Sequence, residues 1–339
     1  MLKETITVNH LKLRNRIVMP PMATGKADHG APDDSLISYY AARADATALI
    51  IVEHAYISPE GMAHEKQLSM ADDSVIPAYT KLTAAVRERG AAIFAQLNHA
   101  GARSKGSGLP AISPSGIPVR DDTTEAAPMT LDDIAHVTEC FVAAALRAKA
   151  AGFDGVEIHS AHGYLLNQFY SPLTNHRTDA YNGQTLDGRT RLHREILQAV
   201  RVAVGKDYPV AIRFGACDYM EGGSLKEDIP EASRLFAEAG ADLLDISGGL
   251  CGFVLNGISQ PGWFSELSRP AKENVQVPVL LTGGISTADE AEQLLQDGAA
   301  DLIGVGRAML QNPDWSVQAI ETFNRHFECA SSKKDMKNQ

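Results

Sequence analysis

Short apolar runs alternate along the chain with longer amphipathic stretches. The runs at 16–22, 48–53, 92–98, 155–159, 210–214, 243–247, 279–282 and 302–305 have the length of buried strands. Between them, 76–89, 132–151, 189–204, 229–239 and 288–296 carry apolar residues at helical spacing. Several of these helical stretches stop at Gly90, Gly152, Gly205, Gly240 and Gly298, each followed within a few residues by the next apolar run. Glycine accepts the left-handed backbone that ends a helix, so this punctuation has a mechanical cause. Alternating units of this kind predict parallel strands joined by crossover helices. About eight of them without a midpoint linker predict an α/β fold, one TIM (β/α)8 barrel domain over residues 1–330, with a doubly wound open sheet as the alternative. Residues 5–13 read as an N-terminal β-hairpin that plugs the barrel floor. The loops 100–130 and 161–187 follow the third and fourth strands and belong on the catalytic face. Residues 331–339 are polar and Lys-rich, with little to bury, and read as a mobile tail.

Bulk properties narrow the function. A hydrophobic content of 44% with 28 glycines suits a soluble enzyme with a sizeable core, and a formal charge of −11 argues against a nucleic-acid partner. No apolar run approaches the roughly 20 residues that span a bilayer, and the first ten residues lack the apolar centre of a signal peptide. No membrane partner and a cytoplasmic location are therefore expected. Cys140, Cys217, Cys251 and Cys329 are scattered with no C-x-x-C pair, so neither a metal cluster nor a disulfide framework is expected.

The chemistry concentrates at strand ends. His159-Ser160-Ala161-His162-Gly163-Tyr164 closes the fourth run and brings together two imidazoles and a phenol. Imidazoles hydrogen-bond an oxygen that gains negative charge, and a phenol can release a proton, which suits a carbonyl substrate protonated at carbon. Each residue also has a plainer reading as a satisfied loop or strand-end side chain. Zinc binding would need a third and fourth ligand, and no Cys or carboxylate cluster stands nearby. Thr282-Gly283-Gly284-Ile285 and Gly304-Val305-Gly306-Arg307 follow the last two strands, where barrels often bind phosphate; ordinary tight turns are the alternative. Gln96 ends the third strand, and its amide both donates and accepts, matching the imide edge of a flavin or pyrimidine. Arg213 lies within an apolar run and needs an electron-rich partner, either a ligand or a buried carboxylate. Pro20-Pro21-Met22-Ala23 ends the first strand as a rigid, mostly apolar wall.

These residues together carry a family likeness. The chain resembles the old yellow enzyme family of FMN-dependent NAD(P)H:flavin oxidoreductases and ene-reductases, in its single-domain form, from Asn15-Arg16-Ile17-Val18-Met19 to Asn312-Pro313. The most specific stretch is 159–179, supported by Gln96-Leu97-Asn98-His99-Ala100-Gly101 and Gly306-Arg307. The resemblance implies bound FMN with NAD(P)H as donor, the choice between NADH and NADPH being open, and a small electron-poor alkene as substrate. It implies that His159 and His162 bind the carbonyl of an α,β-unsaturated compound while Tyr164 protonates its α-carbon and FMN N5 delivers hydride to the β-carbon, in ping-pong order. Gln96 and Arg213 would hold the polar edge of the isoalloxazine. The backbone of Pro21, Met22, Ala23 and His54 would border the ring, and Gly283, Gly284, Gly306 and Arg307 would hold the phosphate. A homo-oligomer is compatible with it. A non-redox barrel isomerase or lyase using Tyr164 and the two histidines, and a flavin-binding platform without turnover, are the competing readings.

Four departures accompany the likeness. Many relatives carry Cys or Thr where this chain has Ala23, so a hydrogen bond to flavin O4 is missing, and whether Thr24 replaces it is open. The segment His99-Ala100-Gly101-Ala102-Arg103 has one residue more than the usual His-Ala-Gly-Arg, leaving Arg103 without an assigned role. The segment 182–189 departs from the family ending and is expected to start a helix capped at Asp187 or Gly188. Larger relatives add an iron–sulfur motif after the barrel; here only Cys329 follows Trp315, so no iron–sulfur cluster is expected. The Gly-, Ser- and Pro-rich stretch 104–118 is expected to shape the pocket.

Overall fold

The computed structural model describes residues 1–27, 29–119 and 125–324. The tail 331–339 and Cys329 lie outside the described residues. Eight parallel strands close on themselves: β3 (Ile17–Met19), β4 (Leu49–Tyr56), β6 (Ala92–Asn98), β9 (Gly155–Ser160), β10 (Val210–Gly215), β11 (Leu243–Ser247), β12 (Val279–Thr282) and β13 (Leu302–Gly304), with β13 pairing β3 and β3 pairing β4. Each strand neighbours the next in sequence, as a right-handed series of crossovers requires. The antiparallel hairpin of β1 (Ile6–Val8) and β2 (Leu11–Leu13) sits at the barrel's N-terminal end. Its Val8 and Leu13 pack with Val18, Leu49, Ile51, Phe94, Ala211, Leu243, Leu280 and Leu302, the inward apolar layer of the strands. The hairpin therefore seals the floor, and the polar chemistry is confined above it. The remaining short strands, β5 (Leu68–Ser69), β7 (Ala111–Ser113) and β8 (Ala126–Pro128), decorate the mouth; β5 pairs in parallel with the end of β4, and β7 pairs with β8.

The crossover helices are α1 (Asp34–Ala41), α2 (Ile76–Glu88), α3 (Leu131–Ala150), α4 (Leu165–Tyr170), α5 (Leu186–Val204), α6 (Ile229–Glu238), α7 (Ser265–Asn274), α8 (Ala288–Gln296) and α9 (Arg307–Gln311). α3 and α8 open with reciprocal capping boxes, Thr130 with Asp133 and Thr287 with Glu290, which satisfy backbone donors that the helix cannot. The five stop glycines all have φ between +70° and +111°. α5 begins earlier than its sequence pattern suggests. Its cap is Thr185, whose hydroxyl accepts from Gly188 N–H at 3.1 Å, rather than Asp187 or Gly188. Asp187 instead lies in the first turn, where its charge suits the helix dipole. α1, α4, α7 and α9 escape the periodicity reading because they are short or, in α7, interrupted by Pro270.

Candidate functional site

Above the apolar floor, inward-facing positions on four neighbouring strands turn polar. Register places Gln96 opposite Glu157, and Arg213 opposite both His159 and Asp245. Gln96 Nε2 donates to Glu157 Oε1 at 2.8 Å, and Arg213 Nε lies 3.2 Å from Asp245 Oδ2. Arg213 thus has a buried carboxylate partner, the plainer of its two readings, and also lines the cavity. Glu157 and Asp245 are fully buried. Burial pushes the Asp245 carboxyl up to about 6 despite Arg213, and burial together with the neighbouring Asp245 also pushes the Glu157 carboxyl up.

At the C-terminal end of β9 the chain turns sharply. His162 (φ 59°) and Gly163 (φ 76°) are successive left-handed residues, and a Cβ on Gly163 would stand 2.9 Å from Val119 Cγ1. The turn is held from three sides: Arg103 Nη1 donates to His162 O at 2.7 Å, Gln168 Nε2 to Gly163 O at 2.8 Å, and Gly163 N–H to Asn167 Oδ1 at 2.7 Å. A non-glycine residue held left-handed costs of order 1 kcal/mol or more, so these contacts fix a conformation the backbone resists. The result places the His159 and His162 rings 5.2 Å apart and the His159 and Tyr164 rings 5.1 Å apart, centroid to centroid. Burial, reinforced by Arg213 and Arg103, drives both imidazoles well below the usual histidine range, and they are neutral at pH 7. Burial raises the Tyr164 phenol, partly offset by Arg103, so it keeps its proton. His162 Nε2 is 2.8 Å from Ser247 Oγ.

These groups open into one cavity of about 800 Å³, within the roughly 300–1,000 Å³ of ligand pockets. Pro21, Met22, Ala23, His54, Gln96, His159, His162, Tyr164, Arg213, Gly283, Gly284, Gly306 and Arg307 all line it. Every residue given a catalytic or cofactor-holding part from the sequence is therefore brought to one cavity. Stretch 104–118 contributes none of the lining, contrary to expectation; the corresponding wall comes from Cys251, Gly252, Phe253, Val254 and Asn256 after β11. Thr24 does not replace the donor missing at Ala23, because its N–H and hydroxyl are both spent on the Glu53 carboxylate at 2.7 Å.

Sequence reading missed Glu157, Asp245, Arg103 and Trp263. The first two had a legible signal, since Gly155, Glu157 and His159, like Leu243, Asp245 and Ser247, share one face of a strand at period two. Trp263 had none: it comes from the loop after β11 and lies against Gly283, where a Cβ would stand 2.7 Å from its Nε1. The Arg307 guanidinium lies 5.2 Å from the Trp263 ring.

The donor set fits a flat polar ring with an anionic tail. Thr282 Oγ1, Trp263 Nε1 and His159 Nδ1 are buried without a hydrogen-bond partner, and each belongs to a residue that lines the cavity beside the Arg213–Asp245 ion pair. The end formed by Gly283, Gly284, Gly306 and Arg307 lets backbone and a guanidinium approach an anion closely. Among the described residues no group of three or more His, Cys, Asp or Glu side chains is arranged to hold a metal ion, and no helix is long and apolar enough to cross a membrane.

Comparison with known proteins agrees with this geometry. Residues 2–325 match the model of the NADH:flavin oxidoreductase / NADH oxidase family. The chain is 38% identical over 324 residues to an NADH oxidase of Thermoanaerobacter brockii, covering 93% of this chain and 50% of that protein. It is 35% identical over 316 residues to an NADPH dehydrogenase of Clostridium acetobutylicum, covering 91% of each. The chain thus spans half the length of the first relative and nearly all of the second. The structure of morphinone reductase in complex with tetrahydroNAD superposes with a TM-score of 0.83 at 25% identity, covering 95% of this chain and 90% of that one. A barrel with a plugged floor, a polar layer above it and a match over nearly its whole length makes this chain a member of the NADH:flavin oxidoreductase / NADH oxidase family.

Proposed function

We propose that the protein is an FMN-dependent NAD(P)H oxidoreductase that reduces the activated C=C bond of α,β-unsaturated carbonyl compounds. The observation that carries this reading is the convergence of two neutral imidazoles and a protonated phenol on one cavity wall. Bound FMN would supply two-electron transfer between the nicotinamide and the alkene. Gln96 and Arg213 hold the polar edge of the ring. Gln96 is oriented by Glu157, since its Nε2 is committed to that carboxyl and its Oε1 is left to accept from a ring N–H. Pro21, Met22, Ala23 and His54 wall the ring, while Gly283, Gly284, Gly306 and Arg307 hold the phosphate. His159 and His162, neutral and fixed, donate N–H to the substrate carbonyl oxygen and favour the negative charge that develops there. Tyr164 gives its proton to the α-carbon. No lysine lines the cavity among the described residues, so a lyase working through a lysine Schiff base has no support.

The test is an anaerobic visible spectrum of FMN-loaded protein, taken before and after NADH or NADPH and again after a cyclic enone. Bleaching by nicotinamide and recolouring by the enone are expected. Tyr164→Phe should leave bleaching intact and slow recolouring by about 100-fold, the usual contribution of a positioned general acid. Bleaching without recolouring by any electron-poor alkene refutes the substrate class, and absence of bound flavin after reconstitution refutes the cofactor.

A further inference from the structure

The His54 side chain has an environment that its expected part as backbone bordering the ring does not explain. Period-two alternation on β4 puts Leu49 and Ile51 into the barrel and Ile50 and Val52 outside it. Ala55 also packs outside, so two residues, Glu53 and His54, stand between successive outward positions, and the pairing with β6 shifts register there. The irregularity re-aims both side chains. The Glu53 carboxylate accepts from the Thr24 and Tyr40 hydroxyls, and His54 lines the cavity beside Tyr164, with ring centroids 5.3 Å apart.

A chain of hydrogen bonds then fixes where the His54 proton sits. Ala63 N–H donates to Gln67 Oε1 at 2.7 Å, which orients the buried Gln67 amide. Gln67 Nε2 therefore faces His54 Nδ1, also at 2.7 Å. An amide nitrogen can only donate, so Nδ1 must accept and carries no proton. The ring is neutral, its pKa held down at about 3 by burial, then by His64, Arg213 and Arg103. Its single proton is consequently on Nε2, which lies 3.4 Å from Tyr164 Oη. Among the described residues, Arg103, whose guanidinium carbon is 5.4 Å from the Tyr164 ring, and His159 also stand beside the phenol.

We propose that His54 is a positioning residue for proton donation: locked by Gln67 as the Nε2–H tautomer, it donates to Tyr164 Oη, so that the phenol aims its own proton into the cavity. The same donor stabilises the oxygen once that proton has left, which lowers the cost of the transfer. No proton passes through His54, because Nδ1 is closed off by Gln67. The proposal rests on the reading of Tyr164 as the proton donor, but both parts of its test are made without substrate and do not depend on the identity of the acceptor.

The first part is ring-nitrogen NMR of FMN-loaded protein with ¹⁵N-histidine, with the His54 signals assigned by their loss in His54→Phe. The expected pattern is a neutral Nε2–H tautomer at pH 7. An Nδ1–H tautomer or a doubly protonated ring overturns the proposal on the unmutated protein, whatever the variant does. The second part places difluorotyrosine at position 164, which brings the phenol into a measurable range, and follows its titration by ¹⁹F NMR. Replacing His54 with Phe should raise the midpoint by about one pH unit, the scale of a lost hydrogen bond to a charged oxygen. An unchanged or lower midpoint in a folded, FMN-loaded variant overturns it. Failure of enone reduction with both spectroscopic results intact would count against the assigned substrate class and leave the His54–Tyr164 assignment standing.

Discussion

Replacing Asp245 with Asn should stabilise the protein at neutral pH, although it removes one partner of a buried ion pair. Asp245 is fully buried 3.2 Å from Arg213 Nε, yet neither carboxylate oxygen has a hydrogen-bond partner. Burial outweighs the guanidinium, and the carboxyl titrates at about 6 against an ordinary value of 3.8. A carboxyl raised in the folded state holds its proton longer there than in the unfolded chain. Its contribution to stability is therefore full below about pH 4 and is lost as pH rises through about 6. Raising the carboxyl from 3.8 to about 6 corresponds to about 3 kcal/mol in full, of which about two-thirds falls between about pH 4.5 and about pH 7.5. Asparagine mimics the protonated acid at every pH and does not lose this term. Glu157 works in the same direction, since Asp245 is part of what raises it. The assay is urea unfolding of wild type and Asp245→Asn at both pH values, on flavin-free protein so that ligand linkage does not enter. The variant should gain about 2 kcal/mol on wild type across that interval. A difference that stays constant, or moves toward wild type as pH rises, would show that Arg213 outweighs burial and refute the reasoning.

Two further outcomes follow from the cavity walls. Arg307→Ala should weaken FMN binding by about 10–100-fold through loss of a charge-assisted contact while leaving riboflavin, which lacks the phosphate, nearly unaffected; equal losses in fluorescence titrations would remove Arg307 from the phosphate site. Ala23→Thr should raise the flavin midpoint potential by about 20–30 mV, because Ala23 offers no donor and Thr24 is committed to Glu53. An unchanged or lower potential in a dye-coupled titration would contradict that account.

The barrel is legible in the order of residues alone. Strand-length apolar runs separated by glycine-stopped helices admit few packings, and the inward layer of Leu49, Ile51, Phe94, Leu243, Leu280 and Leu302 follows from period-two alternation alone. The stretch from His159 to Tyr164 was legible because one strand and its turn carry all three side chains. Tertiary structure decided what depends on pairing between distant segments. The opposition of Gln96 to Glu157, and of Arg213 to Asp245, needs a register that no single strand specifies. The Trp263 wall comes from a loop without periodicity. His54 is the clearest case. Strict alternation gives it the outward side of β4, and only the register shift against β6 turns it toward Tyr164. Local pattern fixes which face of an element is apolar, whereas the partners of a polar side chain are set by closure of the barrel, which joins residues as far apart in sequence as Ala63 and Tyr164 through Gln67 and His54.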